Sequence, residues 1–236
     1  MVEVIDFGIR DYGEILHQQE NLFHTLIEEK KEGIKGKEYI LIGEHAPVLT
    51  MGRRAKSSNI LISDEILKKK RIGLYQIGRG GDVTYHCPGQ ITVYPILDLD
   101  RHGLGVKDYV ALMEEAVIIL LQKYGIKGER VEGATGVWIG KGTSVERKIC
   151  AIGIKCNRFC TMHGFALNVN NSLEGFTFIN PCGFKDKGVT SMQEELQNGD
   201  AVENKQLPDI EKIKRELLHI FLSLIFPLEE ILNLPE

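Results

Sequence analysis

Residues 147–184 decide the fold of this chain and read RKICAIGIKCNRFCTMHGFALNVNNSLEGFTFINPCGF. Two β-like runs, Ile149 to Lys155 and Thr161 to Val169, are joined by a short polar link, which predicts a β-hairpin. Lys148 opens the stretch, and Cys182 closes it in a Pro-Cys-Gly turn. A cation beside an accessible thiol lowers the thiol pKa and favours the nucleophilic thiolate. The residues alone leave two interpretations open: a reactive thiol with its lysine, or a core cysteine and a surface lysine.

Composition places the chain among ordinary globular proteins. Its 236 residues suit one large domain or two small ones, with 43% hydrophobic and 26% charged residues. The net charge of −4 argues against bulk nucleic-acid binding. No apolar run reaches the roughly 20 residues of a membrane span, and the N-terminal segment lacks a signal-peptide pattern. The five cysteines show no disulfide-framework spacing, so we expect free thiols in a reducing cytoplasm.

Apolar periodicity predicts a mixture of helices and strands. Amphipathic helices are predicted over Tyr12–Lys31, Val106–Tyr124 and Asp209–Phe226, and two short helices after Ser63 and Ser191. Asp11 is the expected N-cap of the first of them. Besides the hairpin, strands are predicted over Val2–Phe7, Glu38–Ile42, Gly73–Ile77, Ile91–Leu97 and within Arg130–Ile139. This mixture predicts an α+β, mixed α/β fold, with residues 1–236 as a single domain.

A second dense stretch, GRGGDVTYHCPGQITVYPILDL, begins at Gly78. Gly80 and Gly81 allow close approach of the backbone to a ligand. Thr84 and His86 are two apart, so on a strand they share a face. The Pro88-Gly89 pair predicts a turn. A plain hairpin with a glycine bulge is the alternative to a binding site. We favour the site because polar residues are dense in β-forming sequence, namely Arg79, Asp82, Thr84, His86 and Gln90.

Four segments in order, RGGDVTYHCPGQITVYPI, RKICAIG, HGFALN and NPCG followed by VTSM, resemble the signature of the lipoyl(octanoyl) transferase family. The upstream EHAPVLTMGRRA is similar to its N-terminal pocket segment, so the resemblance spans Glu44 to Met192. It implies the biotin/lipoate protein ligase-like fold, a mixed and largely antiparallel sheet flanked by helices. It also implies octanoyl transfer from octanoyl-acyl carrier protein to a lysine of lipoyl domains, the first step of endogenous protein lipoylation. The acceptors would be lipoyl domains of 2-oxoacid dehydrogenases or the glycine-cleavage carrier protein, with no cofactor, metal, nucleic acid or membrane involved.

The resemblance also implies residue roles. Cys182 takes the place of the acyl-thioester cysteine, and Lys148 that of the lysine lowering the thiol pKa. The implied substrate-binding residues are Arg79, Gly80, Gly81, Asp82, Val83, Thr84, Tyr85, His86, Ala151, Ile152, Gly153, Gly164, Phe165 and Ala166. Cys87 departs from the family, which usually has glycine there; a positive φ at this position would strain a cysteine.

Two rival functions remain open from the sequence. An ATP-dependent lipoate or biotin protein ligase would keep the lysine but would not need a cysteine at position 182, so NPCG favours the transferase. A non-catalytic zinc protein would bind metal through Cys150, Cys156, Cys160 and His163. Their spacing lacks a CxxC knuckle, and small buried hydrophobic residues are the better account of these cysteines.

An acidic donor protein would need a local basic surface on a chain of negative net charge. Arg53, Arg54 and Lys56 lie close in sequence to the predicted pocket segment. We hypothesise that they form this surface, the alternative being an ordinary solvated loop.

Overall fold

The computed structural model describes residues 2–180, 188–198 and 209–227. Cys182 with its Pro-Cys-Gly turn lies outside these ranges, and so does most of the loop predicted between Asn198 and Pro208.

Two β-sheets frame the described chain. Their strands are β1 (Val2–Arg10), β2 (Glu38–His45), β3 (Val48–Met51), β4 (Gly73–Gln76), β5 (Val83–His86), β6 (Gln90–Ile96), β7 (Glu129–Val131), β8 (Ala134–Ile139), β9 (Arg147–Asn157), β10 (Cys160–Asn168) and β11 (Gly188–Val189). The main sheet has the order β1-β2-β6-β10-β9-β8-β7, with β11 beside β9, and the small sheet has the order β4-β3-β5. In the main sheet the β1–β2 and β11–β9 pairs are parallel and the others antiparallel. The expected mixed, largely antiparallel sheet is therefore confirmed.

Helices flank the main sheet on both faces. They are α1 (Tyr12–Lys31), α2 (Asp64–Lys70), α3 (Val106–Lys123), α4 (Met192–Asn198) and α5 (Ile210–Ile225). Asp11 and Ser63 cap α1 and α2 through their side chains, which accept hydrogen bonds from backbone N–H groups of the first turn, as predicted. The helix predictions are confirmed within a residue or two because apolar spacing at 3.6 residues is a strong signal in long segments.

The main core lies between the sheet and the pair α3 and α5. Val93, Ile149 and Leu167 from the sheet meet Met113 and Phe221 from the helices, all at most 2% exposed. Full burial of such side chains stabilises the fold by about 1.5–3 kcal/mol each. On the opposite face α1 packs over β1, β2, β6 and the first half of β10, and the rest of β10 with β9 faces the small sheet across the pocket described below.

The hairpin predicted from the opening stretch is confirmed as β9 and β10, paired in antiparallel register from Cys150↔Leu167 to Asn157↔Cys160. Arg158 and Phe159 both have positive φ, 51° and 61°, as the two-residue turns that match strand twist require. The tip is tied down by the Leu99 N–H, which donates to the Phe159 carbonyl at 2.9 Å.

The hairpin considered for the glycine-rich stretch does not form. β5 pairs with β3 in the small sheet, whereas β6 pairs with β2 and β10 in the main sheet. The Pro88-Gly89 turn was predicted correctly, but it carries the chain from one sheet to the other. Gly89 has φ +88°, and a Cβ there would lie 2.6 Å from the Asn171 nitrogen, so the crossing needs glycine.

None of the helices in the described ranges is both long and apolar enough to span a membrane.

Candidate active site

A pocket opens between the glycine-rich segment before β5 and the faces of β9 and β10 that turn away from the main core. Small residues, Ala151 and Gly153 on β9 and Ala166 on β10, lie along one wall. Its full lining is Tyr12, Arg79, Gly81, Asp82, Val83, Thr84, His86, Gln90, Tyr94, Trp138, Lys148, Ala151, Ile152, Gly153, His163, Gly164, Phe165, Ala166, Asn168, Phe176, Gly188 and Val189.

Lys148 reaches this pocket because the β8–β9 pair is irregular there. Val137 lies opposite Cys150 and Trp138 opposite Lys148, so Ile149 has no partner of its own. Ile149 and Cys150 both enter the main core, each 0% exposed. Unbroken strand alternation would have put Lys148 on the same face as Cys150. The bulge instead turns Lys148 towards the pocket, a role that bulges often have beside active sites.

The Lys148 ammonium has two contacts on β8. Its Nζ donates to the Thr135 carbonyl at 3.0 Å and lies 4.5 Å from the centroid of the Trp138 ring. The lysine is therefore held at the wall of an apolar pocket rather than extended into solvent.

The glycine-rich segment is tied to both sheets by its own backbone and by Arg79. The Gly80 N–H donates to the Ile154 carbonyl of β9 at 2.8 Å. Arg79, 8% exposed, donates through Nη2 to the Thr50 carbonyl at 2.7 Å and to Thr50 Oγ1 at 2.9 Å. A Cβ on Gly153 would lie 2.8 Å from the Gly80 carbonyl oxygen, so the close approach of segment and strand needs glycine at 153.

A directed run of hydrogen bonds continues from Thr50 along the back of the pocket. His86 Nδ1 lies 2.7 Å from Gln90 Oε1, and Gln90 Nε2 donates to Asn168 Oδ1 at 2.8 Å. Because the Gln90 amide nitrogen is used as a donor, its oxygen accepts, which assigns the proton of neutral His86 to Nδ1. His86 Nε2 then accepts from Thr50 Oγ1 at 3.4 Å. Asn168 ends the run by donating to the Thr190 carbonyl at 2.9 Å.

The chain on either side of residues 181–187 is anchored beside the pocket. Before this segment, the Asn180 N–H donates to the Asn59 carbonyl at 2.8 Å. After it, β11 pairs in parallel with the start of β9, and the Thr190 N–H donates to the Lys148 carbonyl at 3.0 Å. The stretch that follows residues 181–187 is thus hydrogen-bonded to the lysine residue itself.

Two buried histidines, His86 and His163, line the pocket, and a third, His45, packs against His86; all three are neutral imidazoles at neutral pH. Burial lowers the pKa of His45 to about 4, and that of His86 and His163 to about 3 each. His45 Nε2 lies 2.8 Å from the Tyr94 hydroxyl. Imidazoles of such low pKa are weak general bases at neutral pH, so these three histidines are poor candidates for that role.

His163 has an unusual backbone for a strand residue, with φ +59°. The β6–β10 ladder runs from Phe165↔Val93 to Asn168↔Gln90 and ends before His163. The His163 N–H leaves the ladder and donates to Gln19 Oε1 of α1 at 3.0 Å. Its buried Nδ1 finds no hydrogen-bond partner among the described residues.

The comparisons with known proteins bear on this pocket. The family model of the lipoyl protein ligase A/B catalytic domain matches residues 11–222. The chain belongs to this family. The resemblance recognised in the four sequence segments is therefore confirmed.

Octanoyltransferases are among the relatives that are similar to this chain over most of its length. An octanoyltransferase of Parabacteroides distasonis is 47% identical over 93% of this chain and 96% of its own length. An octanoyltransferase of Bacteroides fragilis is 47% identical over 92% of this chain and 97% of its own. Among solved structures, the bi-partite lipoate protein ligase of Thermoplasma acidophilum superposes with a TM-score of 0.60 at 16% identity, covering 94% of this chain and 82% of that one. The likeness confirms the ligase-like fold.

Most residues that the family resemblance pointed to line one pocket, although their separation in sequence is large. Gly80 and Tyr85 do not line it: Gly80 contacts β9 from behind, and Tyr85 packs against Phe176 with ring centroids 5.7 Å apart. Strand alternation explains Tyr85, because it points to the face opposite Thr84 and His86. Cys182 lies outside the described residues, so its place relative to the pocket stays a prediction.

Other pocket residues escaped sequence reasoning. Tyr12 begins α1, far upstream of every motif, and its ring stacks on His86 with centroids 5.9 Å apart. Only the tertiary packing of α1 brings it there, and no local signal marks it. Tyr94 and Asn168 sit inside recognised motifs, and their inward direction on β6 and β10 was the available signal.

The four zinc-ligand candidates do not assemble. Within the described ranges, no group of three or more His, Cys, Asp or Glu side chains could hold a metal ion. Cys150 is fully buried in the main core, and Cys160 packs in the core under α1. The packing supports their interpretation as small buried hydrophobic residues.

Cys87 does not adopt positive φ, so cysteine is unstrained in the place of the family's usual glycine. Its Sγ points away from the pocket towards the Ser172 carbonyl, 3.7 Å away, and burial raises the thiol pKa to about 11. We expect Cys87→Gly to keep transfer within tenfold of wild type, with a stability loss of about 1 kcal/mol from added backbone freedom. Cys87→Ala separates the thiol from the backbone effect. A greater than tenfold loss in folded Cys87→Ala would mean that this thiol takes part in the reaction.

The buried histidines predict how stability depends on pH. Their folded pKa values lie below the unfolded value of about 6.5, so between about pH 4 and 6.5 the unfolded chain binds more protons. The free energy of unfolding should therefore fall as pH drops through this window, by up to about 1.4 kcal/mol per pH unit for each histidine. Urea unfolding at several pH values measures the slope. His45→Gln should reduce it, whereas the exposed control His24→Gln should not; equal slopes would contradict the assignment.

Proposed function

We propose that this chain is an acyltransferase that moves an octanoyl group from octanoyl-acyl carrier protein to a lysine of lipoyl domains, through a thioester on Cys182. The observation that carries the proposal is the position of Lys148, at the wall of an apolar pocket and hydrogen-bonded through its carbonyl to Thr190. Cys182 precedes Gly188 of β11 by six positions, and six residues extend at most about 20 Å, so the chain length allows the thiol to reach Lys148.

The first step exchanges one thioester for another. The Cys182 thiolate attacks the donor carbonyl carbon, the new C–S bond forms, and the bond to the carrier's thiol breaks. The carrier leaves as a thiolate and takes up a proton from Lys148, which is thereby left neutral for the second step. A thiol suits this step because attacking and leaving groups have similar basicity. The Lys148 ammonium stabilises the Cys182 thiolate before attack.

The second step forms the amide. The acceptor lysine amine attacks the acyl-cysteine, a C–N bond forms, and the C–S bond to Cys182 breaks. The amine loses one proton, and Lys148 in its neutral form is the base we propose, since the neighbouring histidines are weak bases. Backbone N–H groups near the Gly-rich segment are candidates to hold the oxyanion.

The substrate-binding roles divide by chemistry. Ala151, Gly153 and Ala166 leave space for the acyl chain along an apolar wall. Arg79 donates hydrogen bonds to Thr50, so we propose that it fixes the glycine-rich segment that covers the acyl chain. We propose that the other motif residues that line the pocket contact the octanoyl substrate.

The ligase alternative shares the fold, as the Thermoplasma protein shows, so the fold does not separate the two functions. The octanoyltransferase relatives and the NPCG segment favour transfer. The test mixes purified protein with octanoyl-acyl carrier protein and a lipoyl domain, without ATP, and follows intact masses. An octanoyl mass gained by the lipoyl domain supports the proposal. Gain only with ATP and free octanoate would favour a ligase.

Partners and setting follow from the same proposal. The solved Thermoplasma ligase was studied with its E2 lipoyl domain, and we propose such domains of 2-oxoacid dehydrogenases, or the glycine-cleavage carrier protein, as acceptors. Residues 1–236 would act as one catalytic domain. Free thiols at Cys87, Cys150, Cys156 and Cys160 suit a reducing cytoplasm.

The donor should dock on the basic loop after β3. The Arg53 and Arg54 N–H groups donate to the Arg79 and Gly81 carbonyls, each at 3.0 Å, which places this loop at the rim of the pocket. Arg53→Glu with Arg54→Glu should weaken binding of an acidic donor mainly at low salt, because salt screens exposed charges. Lys107→Glu with Lys127→Glu makes the same change in net charge at and beyond α3, on the other face of the main sheet. Equal donor affinity for both double variants at low ionic strength would contradict the docking site.

A further inference from the structure

The β8 strand forms a cradle for Lys148. The Thr135 carbonyl accepts from Lys148 Nζ at 3.0 Å, and the Trp138 ring lies beneath it at 4.5 Å from Nζ to the centroid. Between them, Gly136 lets β8 approach the backbone of β9 closely, since a Cβ there would lie 2.4 Å from the Cys150 carbonyl oxygen, and the Lys148 stem passes in ordinary contact, with Cε 3.5 Å from that Cβ position.

The cradle is rigid because each part is fixed independently of the lysine. Trp138 is 1% exposed, and its Nε1 donates to the Ala134 carbonyl at 2.7 Å, which uses the indole's single donor. The Gly136 N–H donates to Glu114 Oε1 of α3 at 3.0 Å, tying this strand to the helix behind the sheet. The ring therefore presents a fixed face to the lysine.

An aromatic face attracts a cation through its quadrupole and has no such preference for a neutral amine. Tryptophan is the strongest of the aromatic side chains in this respect. Taking a lysine out of water acts in the opposite direction, because it disfavours the charged form. The attraction of the ring thus offsets part of the hydration free energy that an ammonium group loses in the pocket.

We propose that Trp138 is a positioning residue that holds Lys148 as an ammonium group aimed into the pocket, so that it can stabilise the thiolate. This inference rests on the proposed function for its catalytic consequence, but the contact between the ring and the lysine can be tested separately. Nothing in the recognised motifs assigned such a role to Trp138.

The chain offers a clean experiment because Trp138 is its single tryptophan. Incorporation of 5-fluoro- and 5,7-difluorotryptophan therefore changes only this ring, draining its negative face while nearly keeping its shape. We expect the pH midpoint of Cys182 alkylation, followed by peptide mapping, to move upward with each fluorine. Transfer should fall in parallel, by on the order of tenfold for the difluoro ring.

Two controls separate this inference from the function. In Lys148→Met, fluorination should no longer move the alkylation midpoint, as a pairwise coupling requires. Trp138 emission should also titrate at alkaline pH in wild type and lose this titration in Lys148→Met, which has the same tyrosines. Trp138→Phe presents a weaker aromatic face, so its alkylation midpoint should lie between those of wild type and Trp138→Leu.

The outcomes are distinct. If Lys148→Met abolishes transfer while fluorination leaves both the alkylation midpoint and the emission titration unchanged, the inference is overturned and the function stands. If emission titrates with Lys148 while Lys148→Met transfers normally, the contact is supported and the proposed role of the lysine fails.

Discussion

Brief exposure to octanoyl-acyl carrier protein should leave an octanoyl mass on the peptide that contains Cys182, and addition of a lipoyl domain should discharge it. Cys182→Ala should show neither adduct nor transfer. Cys182→Ser should lose transfer by orders of magnitude, because a hydroxyl needs a strong general base and the described pocket histidines are neutral and of low pKa.

Cys87→Ala is the matched control for this experiment, since it removes a buried thiol that points away from the pocket. It should keep the adduct at Cys182 and the transfer rate. An enzyme that still turns over as Cys182→Ala, or an active wild type with no adduct on that peptide, would contradict the thioester intermediate and favour direct transfer.

Lys148→Met should produce the second large loss, in a way that depends on pH. Without the cation the thiolate of Cys182 is less favoured, so alkylation at neutral pH should slow, and raising the pH should partly restore it. Transfer should recover less than alkylation, because Lys148 also takes the proton of the acceptor amine in our scheme.

A stopped-flow alkylation profile and a steady-state transfer profile, both from pH 6 to 10, measure this difference. Lys155→Met is the control: Lys155 lies on the same strand but does not line the pocket, and its Nζ lies over the Phe23 ring at 5.0 Å. If Lys155→Met and Lys148→Met shift the alkylation profile equally, the effect is one of general charge and the specific pairing fails.

Local patterns in the sequence were sufficient for much of this fold. The long helices, the β9–β10 hairpin and the caps at Asp11 and Ser63 depend on neighbours within a few residues, and these predictions were confirmed. The family resemblance also singled out Arg79, Lys148, Ala151 and Ala166 as site residues, and all four line one pocket.

Features set by long-range pairing could not be obtained in this way. The sequence between β5 and β6 carries a correct turn signal, but only the partners β3 and β10 decide that the two strands belong to different sheets. The bulge at Ile149 likewise has no local signature: strict alternation would place Lys148 on the core face. The positive φ of His163 also goes with a hydrogen bond from its N–H to Gln19 Oε1 of α1, a partner far away in the sequence.

The hydrogen-bonded run from Arg79 to Thr190 has a consequence for redesign. Arg79, His86, Gln90 and Asn168 lie in the recognised motifs. Their side chains are already hydrogen-bonded along this run: Arg79 to Thr50, His86 to Gln90, Gln90 to Asn168, and Asn168 to Thr190. Mutating these residues to broaden the range of acyl chains would therefore disturb the hydrogen bonds that hold the segment of β11 and Thr190, which follows residues 181–187, before it altered any contact with the acyl chain. A library aimed at acyl length should instead vary Ala151 and Ala166, whose methyl groups face the pocket and carry no such duties.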